Sequence, residues 1–179
     1  NSDDIYEKML KDAGMTTTPE DIYTPKGQDI RLQAKGVTGR MRGNFLEGRL
    51  GIIIDGTGKD YDKIAKQVGG LKNLGYETYM VFVNTSLDTA QERNLKRSRT
   101  LATDEVTRMW NAVQQNIGKF QRLFGGKNFI VVDNNDAGED VFAKVFKRIR
   151  GIVVNKPTKP AAKFWIKSEL QKKAKAGGV

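Results

Sequence analysis

The sequence predicts an α/β protein in which helices flank a parallel sheet. Three short apolar runs have the composition of strands covered on both faces: LGIIID at residues 50–55, YMVFVN at 79–84 and NFIVVD at 128–133. The segments between and after them carry apolar residues at steps of three and four, the spacing of one helix face. Because strands that alternate with helices pair in parallel, the pattern predicts a doubly wound fold.

The first fifty residues predict two helices joined by a loop. Asp3 and Asp4 suit the positive end of a helix dipole, so a helix is predicted over residues 3–13, ended by Gly14. Residues 15–30 contain two prolines and no sustained apolar period, and we predict a loop there. Residues 31–49 predict a weak helix that depends on packing, because three glycines interrupt it.

The rest of the chain predicts further helices around the second and third runs. A helix is predicted over residues 60–71, and Thr85 or Ser86 is expected to cap the helix after YMVFVN. A long amphipathic helix is predicted after Thr103, and another over residues 139–150. Each of the three runs ends in a polar residue, and ligands of such folds bind at those strand ends. These residues are Asp55, Asn84 and Asp133.

Composition limits the chemistry that the chain can perform. It has no cysteine and no histidine, which excludes disulfides, thiolate metal sites and the usual general base. Residues 152–179 hold seven lysines and one acid, which supply +6 of the formal charge of +10. This lysine-rich extension is either a solvated terminus or a surface for polyphosphate, with Trp165 available to stack on a base. Trp165, Ile166 and Leu170 could instead dock a terminal helix on the domain.

Three groups of polar residues are candidates for a functional site. Arg93 and Arg97 are four residues apart on a predicted helix, so both could hold one polyphosphate, with Arg99 just beyond; a solvated helix face is the alternative. Asp55 and Thr57 follow the first run, where a carboxylate could hold magnesium-bound water or cap a turn. Asp3 and Asp4 could accept a hydroxyl proton or could simply stabilise a helix start.

These elements, in this order, resemble the P-loop kinases of the polynucleotide kinase and zeta-toxin type, most closely kinase-like proteins of tailed bacteriophages. The resemblance covers roughly residues 1–135: N-x-D-D at a helix start, an apolar strand followed by D-x-T, and E-R-N-x-K-R on a later helix. It implies ATP and Mg²⁺ as cofactors. The residues to which it gives roles are Asp3 as base, Asp55 for the metal, Arg93 and Arg97 for phosphates, and Asn134 and Asn135 near adenine. From their positions beside these residues we further expect Asp4 and Thr57 to bind the substrate and Arg99 to contact the phosphates.

The sequence departs from these kinases at one point. It contains no G-x-x-x-x-G-K-S/T loop, so the resemblance implies that the first strand, this loop and the first helix are lacking. In the strand order 2-3-1-4-5 that the resemblance implies, the lacking strand belongs between LGIIID and YMVFVN. We therefore expect residues 1–151 to be an incomplete kinase-like domain that needs a segment in cis or in trans, or neighbouring phage proteins, with residues 152–179 as an extension.

The function expected from this resemblance is that of the C-terminal portion of an ATP-dependent kinase. Its acceptor would be a hydroxyl of a nucleotide, a nucleic-acid end or a small metabolite, and the chain by itself is expected to be inactive. The alternatives are a phage assembly component that reuses the kinase lobe, and a nucleic-acid-binding protein. A cytoplasmic location is expected, in the host cell for a phage protein, or an association with the virion; no membrane partner is expected.

Overall fold

A computed structural model describes residues 2–97, 100–136 and 138–177. The chain divides into two compact units, and each is described by itself. The first unit comprises Asn1–Thr57 with Asn94–Leu101, and the second comprises Gly58–Arg93 with Ala102–Val179. None of the helices in the described ranges is long and apolar enough to cross a membrane.

The first unit is built from helices around a small apolar core. Its helices are α1 (Asp3–Asp12), α2 (Pro19–Ile22) and α3 (Pro25–Glu47). The buried residues of this core are Tyr6, Leu10, Ile22, Ile30 and Ala34. The predicted first helix is confirmed, with Asp3 and Asp4 in its first turn and Gly14 beyond its end at a φ of +70°.

The prediction of a loop over residues 15–30 was wrong for part of this segment. Pro19 and Pro25 are the first residues of α2 and α3. The backbone N–H groups of a first helical turn have no partner within the helix, so the N–H that proline lacks is not needed there, and the fixed φ of proline is already helical. Thr24 caps α3, since its side-chain oxygen accepts a hydrogen bond from the Gly27 amide at 3.0 Å. The prolines therefore begin helices here instead of excluding them.

The prediction of a strand at residues 50–55 was also wrong. The described sheet contains no residue of LGIIID. Leu50, Ile53 and Ile54 are all exposed, and the side chain of Ile53 is 97% accessible to solvent. A strand is stabilised by hydrogen bonds to a neighbouring backbone. The described ladder forms none with this run, and β-branched composition alone is not enough to make it a strand.

The second unit contains the parallel sheet. Its elements in chain order are α4 (Tyr61–Asn73), β1 (Met80–Asn84), α5 (Leu87–Leu95, whose last two residues belong to the first unit), α6 (Thr103–Phe124), β2 (Phe129–Asp133), α7 (Glu139–Val153) and α8 (Pro160–Ala176). β1 and β2 pair in parallel, in a register that runs from Met80 beside Phe129 to Asn84 beside Asp133. The second and third apolar runs are thus confirmed as strands, and so are the helices predicted from residue 60 onwards.

Aromatic residues form most of the core of the second unit. The buried residues are Val68, Phe82, Phe120, Phe124 and Phe129. The rings of Phe82 on β1 and Phe129 on β2 lie 5.9 Å apart, and the ring of Phe120 on α6 lies 5.6 Å from that of Tyr61. This packing joins α4 and α6 to the sheet.

The expectation that β1 is covered on both faces was wrong for the described residues. Phe82 is buried, but its neighbours Val81 and Val83 are exposed. The apolar residues of α7 are likewise uncovered, since Phe142 and Phe146 both remain mostly accessible. Considerable apolar surface on β1 and α7 therefore has no cover within the part of the chain that the structure describes.

Candidate functional site

The carboxyl ends of the two strands meet, as the fold class requires. Asn84 and Asp133 are paired in the register of β1 and β2. Immediately beyond them the amide of Asn134 donates to the carbonyl oxygen of Asn84 at 2.8 Å, which extends the ladder by one bond. Two of the three predicted polar strand ends therefore lie side by side, at the edge where ligands of parallel sheets bind.

Asn135 joins the loops that leave the two strands. Its backbone amide and its side-chain amide donate to Oδ1 of Asp133 at 3.0 and 2.7 Å. Its own Oδ1 accepts from the Ser86 amide at 2.7 Å, across 49 residues of sequence. One side chain therefore sets the geometry of both loops.

Arg93 reaches the same position from α5. Its Nη2 donates to the backbone carbonyl oxygen of Asn135 at 3.1 Å, and the side chain is partly buried. A guanidinium group carries five N–H donors, so this bond leaves others for an anion at the strand ends. Two of the predicted cofactor-binding residues, separated by 42 positions in sequence, are thus brought into contact.

The start of α5 explains why Arg93 lies there. Ser86 Oγ accepts from the Thr89 amide at 3.1 Å and donates to Thr89 Oγ1 at 2.9 Å. Ser86 is therefore the cap, which the sequence left open between it and Thr85. Because α5 begins directly after β1, a residue two turns later remains close to the strand end.

Two residues on α6 support this site and were not among the sequence-based candidates. Trp110 Nε1 donates to the carbonyl oxygen of Thr85 at 2.9 Å, and Gln114 Nε2 donates to Oδ1 of Asn84 at 2.8 Å. They lie one turn apart. The sequence does contain a signal for Gln114: it lies beside the apolar face of a long amphipathic helix, and a partly buried amide requires a hydrogen-bond partner.

Of the remaining basic candidates, Arg97 lies after the end of α5. Buried Asn94 joins the end of α5 to Leu101, since its side chain donates to the Leu101 carbonyl at 2.8 Å and accepts from the Leu101 amide at 2.9 Å. Arg97 is exposed. Arg99 lies outside the described residues, so its predicted role stays a prediction.

The carboxylate candidates belong to the first unit. Asp3 and Asp4 are exposed in the first turn of α1, and Asp55 and Thr57 are exposed in the irregular segment before α4. Within residues 2–97, 100–136 and 138–177, no three carboxylates come close enough together to hold a metal ion. The roles predicted for these four residues stay predictions.

The site and the sheet define a class of protein, an α/β fold with polar loops at the tips of parallel strands. The family model of the Zeta toxins matches residues 24–144. The chain belongs to the Zeta toxin family. Membership of this family indicates a P-loop kinase-like nucleotide phosphotransferase. Kinases of this family generally use ATP and Mg²⁺. No curated protein and no solved structure gives a significant match.

The range that matches the family model contains some of the candidate site residues and leaves out others. The range 24–144 includes β1, β2 and the contact between Arg93 and Asn135, and it also includes Asp55 and Thr57. Asp3, Asp4 and α8 lie outside it. The contact at the strand ends therefore lies inside the matched range, whereas the prediction that Asp3 is the base depends on its sequence motif alone.

Proposed function

We propose that residues 1–179 are the C-terminal portion of an ATP-dependent kinase that transfers the γ-phosphoryl group to a hydroxyl. The acceptor is a nucleotide, a nucleic-acid end or a small metabolite. The observation that carries this proposal is the contact of Arg93 with Asn135 at the strand ends, inside the range that matches the Zeta toxin family. Such an edge combines a cation with polar loops, as phosphoryl transfer requires.

Each candidate residue has a role in this proposal. Asp3 accepts the proton of the acceptor hydroxyl, because a carboxylate is the natural proton acceptor in a sequence without histidine. Asp4 and Thr57 bind the acceptor, and Asp55 would hold Mg²⁺, which would neutralise phosphate charge. Asn134 and Asn135 lie near adenine.

The basic residues act on the transferred group. The other N–H donors of Arg93 stabilise negative charge as the phosphoryl group moves, and its bond to Asn135 fixes the orientation of the guanidinium. Arg97 and Arg99 supply further positive charge to the phosphates. An arginine in this role contributes about 10³- to 10⁵-fold to the rate.

The proposal requires a further structural element. Residues 1–179 contain no G-x-x-x-x-G-K-S/T loop. We propose that a strand and such a loop from outside these residues, in the same polypeptide or in a neighbouring one, complete the sheet. Supporting this, Val83 on β1, Ile53 and Phe146 on α7 are more than half exposed, as expected for surfaces that another segment covers.

The test is a phosphoryl-transfer assay on the complete product of the gene. Radiolabelled γ-phosphate of ATP is followed into nucleotides, 5′-hydroxyl oligonucleotides and sugar-like metabolites in the presence of Mg²⁺. We expect transfer to one acceptor class. Asp3→Asn should lower the rate by about 10²- to 10⁴-fold, since it removes the base.

A matched control tests whether the loss of any exposed carboxylate of α1 lowers the rate. Asp12→Asn makes the same change at the exposed far end of α1 and should leave the rate unaltered. Residues 1–179 by themselves should show no transfer. Equal losses in the two variants would contradict the role of Asp3, and transfer to none of the acceptors would contradict the proposed function.

A further inference from the structure

Helix α8 begins at a fixed position on the second unit. Thr158 precedes it, and its amide donates to Oε1 of Glu77 at 3.0 Å while its hydroxyl donates to the same oxygen. These bonds, with a smaller contribution from the Lys159 charge, lower the pKa of Glu77. Gly75 has a φ of +93°, and a Cβ there would lie 2.6 Å from the Ala162 amide nitrogen, so the first turn of α8 packs directly on this glycine.

An open groove with lysines along it lies on α8 and the segment before it, and Thr158 is one of its lining residues. Lys156, Lys163 and Lys167 line it, and Ile166 and Leu170 supply apolar surface between them. Lys163 and Lys167 are one turn apart, about 6 Å along the helix, so both point to the same side. A row of cations along an open groove is complementary to a linear polyanion, because no wall closes it around a small ligand.

An exposed aromatic ring borders the groove. The side chain of Phe164 is 77% accessible to solvent. It precedes Lys167 by three residues and Gln171, another lining residue, by seven, so it lies beside both on the helix surface. Stacking of bases on exposed aromatic rings, next to lysines that follow the phosphates, is how proteins bind single-stranded nucleic acid without sequence preference.

The arrangement of α8 disfavours a lipid surface as the partner. Phe164, Trp165 and Ile166 are consecutive, so they point in directions about 100° apart around the helix. A helix that lies in a membrane interface needs its apolar residues on one face and its charges on the other. The apolar and basic residues of α8 are interleaved instead.

We propose that the groove of α8 binds single-stranded nucleic acid. The ammonium groups of Lys156, Lys163 and Lys167 contact successive phosphates, and Phe164 stacks on a base. This interaction involves no covalent step. It is also separate from the site at the strand ends, so it can be tested independently of the kinase proposal.

The test is a fluorescence-anisotropy titration of a labelled 20-residue oligothymidylate with the full chain. Three lysine–phosphate contacts predict that affinity falls about twenty-fold between 50 and 200 mM salt. Lys163→Gln with Lys167→Gln should weaken binding and reduce the logarithmic salt slope by about 1.4. Phe164→Ala should weaken binding at least about fivefold and leave the slope unchanged, because stacking releases no counterions.

The matched control is Lys8→Gln with Lys35→Gln, which removes the same charge from exposed lysines of the first unit. It should keep both affinity and slope. A loss as large as that of the groove variant would overturn the proposal in favour of non-specific attraction. Three further results would also overturn it: no binding at 50 mM salt, equal competition by a duplex, or binding to vesicles of phosphatidylcholine and phosphatidylglycerol without binding to the oligonucleotide.

Discussion

Two apolar runs of equal length have different structures in this molecule. YMVFVN contains β1, each residue of which has a partner on β2. LGIIID forms no strand among the described residues. Phe82 in the first of these runs is 5% exposed, and Ile53 in the other is 97% exposed. The difference shows that a β-strand depends on an adjacent strand to pair with and on other residues that cover its side chains. β-branched residues alone provide neither.

The largest expected effect comes from truncating one side chain in each run. Phe82→Ala removes a buried ring that contacts Phe129, and it should lower the free energy of unfolding by about 3–5 kcal/mol. Ile53→Ala should change it by less than about 0.5 kcal/mol, since its side chain is already in water. Urea unfolding followed by circular dichroism measures both values.

A milder variant keeps this test decisive. If Phe82→Ala does not fold, Phe82→Leu should still fold with an intermediate loss. Equal effects at Phe82 and Ile53 would contradict the comparison of the two runs, because they would mean that LGIIID is packed as well as β1.

The second prediction concerns the backbone. Amides of β1 that bond to β2 should exchange with deuterium at least about a hundredfold more slowly than those of residues 50–55, which lie outside the described ladder. Exchange resolved by mass spectrometry on short peptides measures the ratio. Equal protection of the amides of β1 and of residues 50–55 would contradict the comparison of the two runs.

The third prediction extends the comparison to the loops that follow the strands. Asn135→Ala removes the side-chain bonds to Asp133 and Ser86 and should cost about 1–2 kcal/mol. Asn134→Ala is the matched control, because Asn134 contributes its backbone amide to the ladder and the substitution keeps it. Thermal unfolding of the two variants checks this. Equal stability would show that Asn135 does not organise the strand ends.

The smallest effect concerns the segment before β1. Hydrogen bonds from Thr158, and to a lesser extent the charge of Lys159, lower the pKa of Glu77 below its ordinary value of 4.5. A group with a lowered pKa in the folded state stabilises the fold above its unfolded pKa, and this stability is lost as the pH falls through the folded value. The attachment of α8 should therefore weaken below about pH 4.5, by about 1 kcal/mol for this partly exposed group.

Thermal unfolding followed by circular dichroism between pH 5 and pH 3 measures this contribution. The unfolding temperature should fall as the pH falls, and Glu77→Gln should remove the part of this fall that is due to the bonds between Glu77 and Thr158. Tyr79 interacts with Glu77, and the pKa of Tyr79 is raised by burial and by the charge of Glu77. A pH dependence that persists in Glu77→Gln would assign the effect to another group.

Local features predicted much of the fold. We predicted α1 from its acidic first turn, α6 from its apolar spacing, and β1 and β2 from two apolar runs. Pro19 and Pro25 misled the prediction, since a proline ends one helix or begins another depending on the residues around it. At the candidate site, Arg93 was a candidate from its spacing and Asn135 from the family resemblance, and the roles of both stay predictions. The supporting residues Trp110 and Gln114 were missed because their partners lie 25 and 30 positions away.

The sequence by itself determined the helix periodicities, the composition of the strands, the absence of histidine and cysteine chemistry, and membership of the Zeta toxin family. Only the tertiary structure decided which apolar run became a strand and which polar groups met at the strand ends. The physical reason is that periodicity and propensity act within a few residues, whereas a sheet ladder or a bond such as that of Arg93 to Asn135 joins segments far apart in the chain.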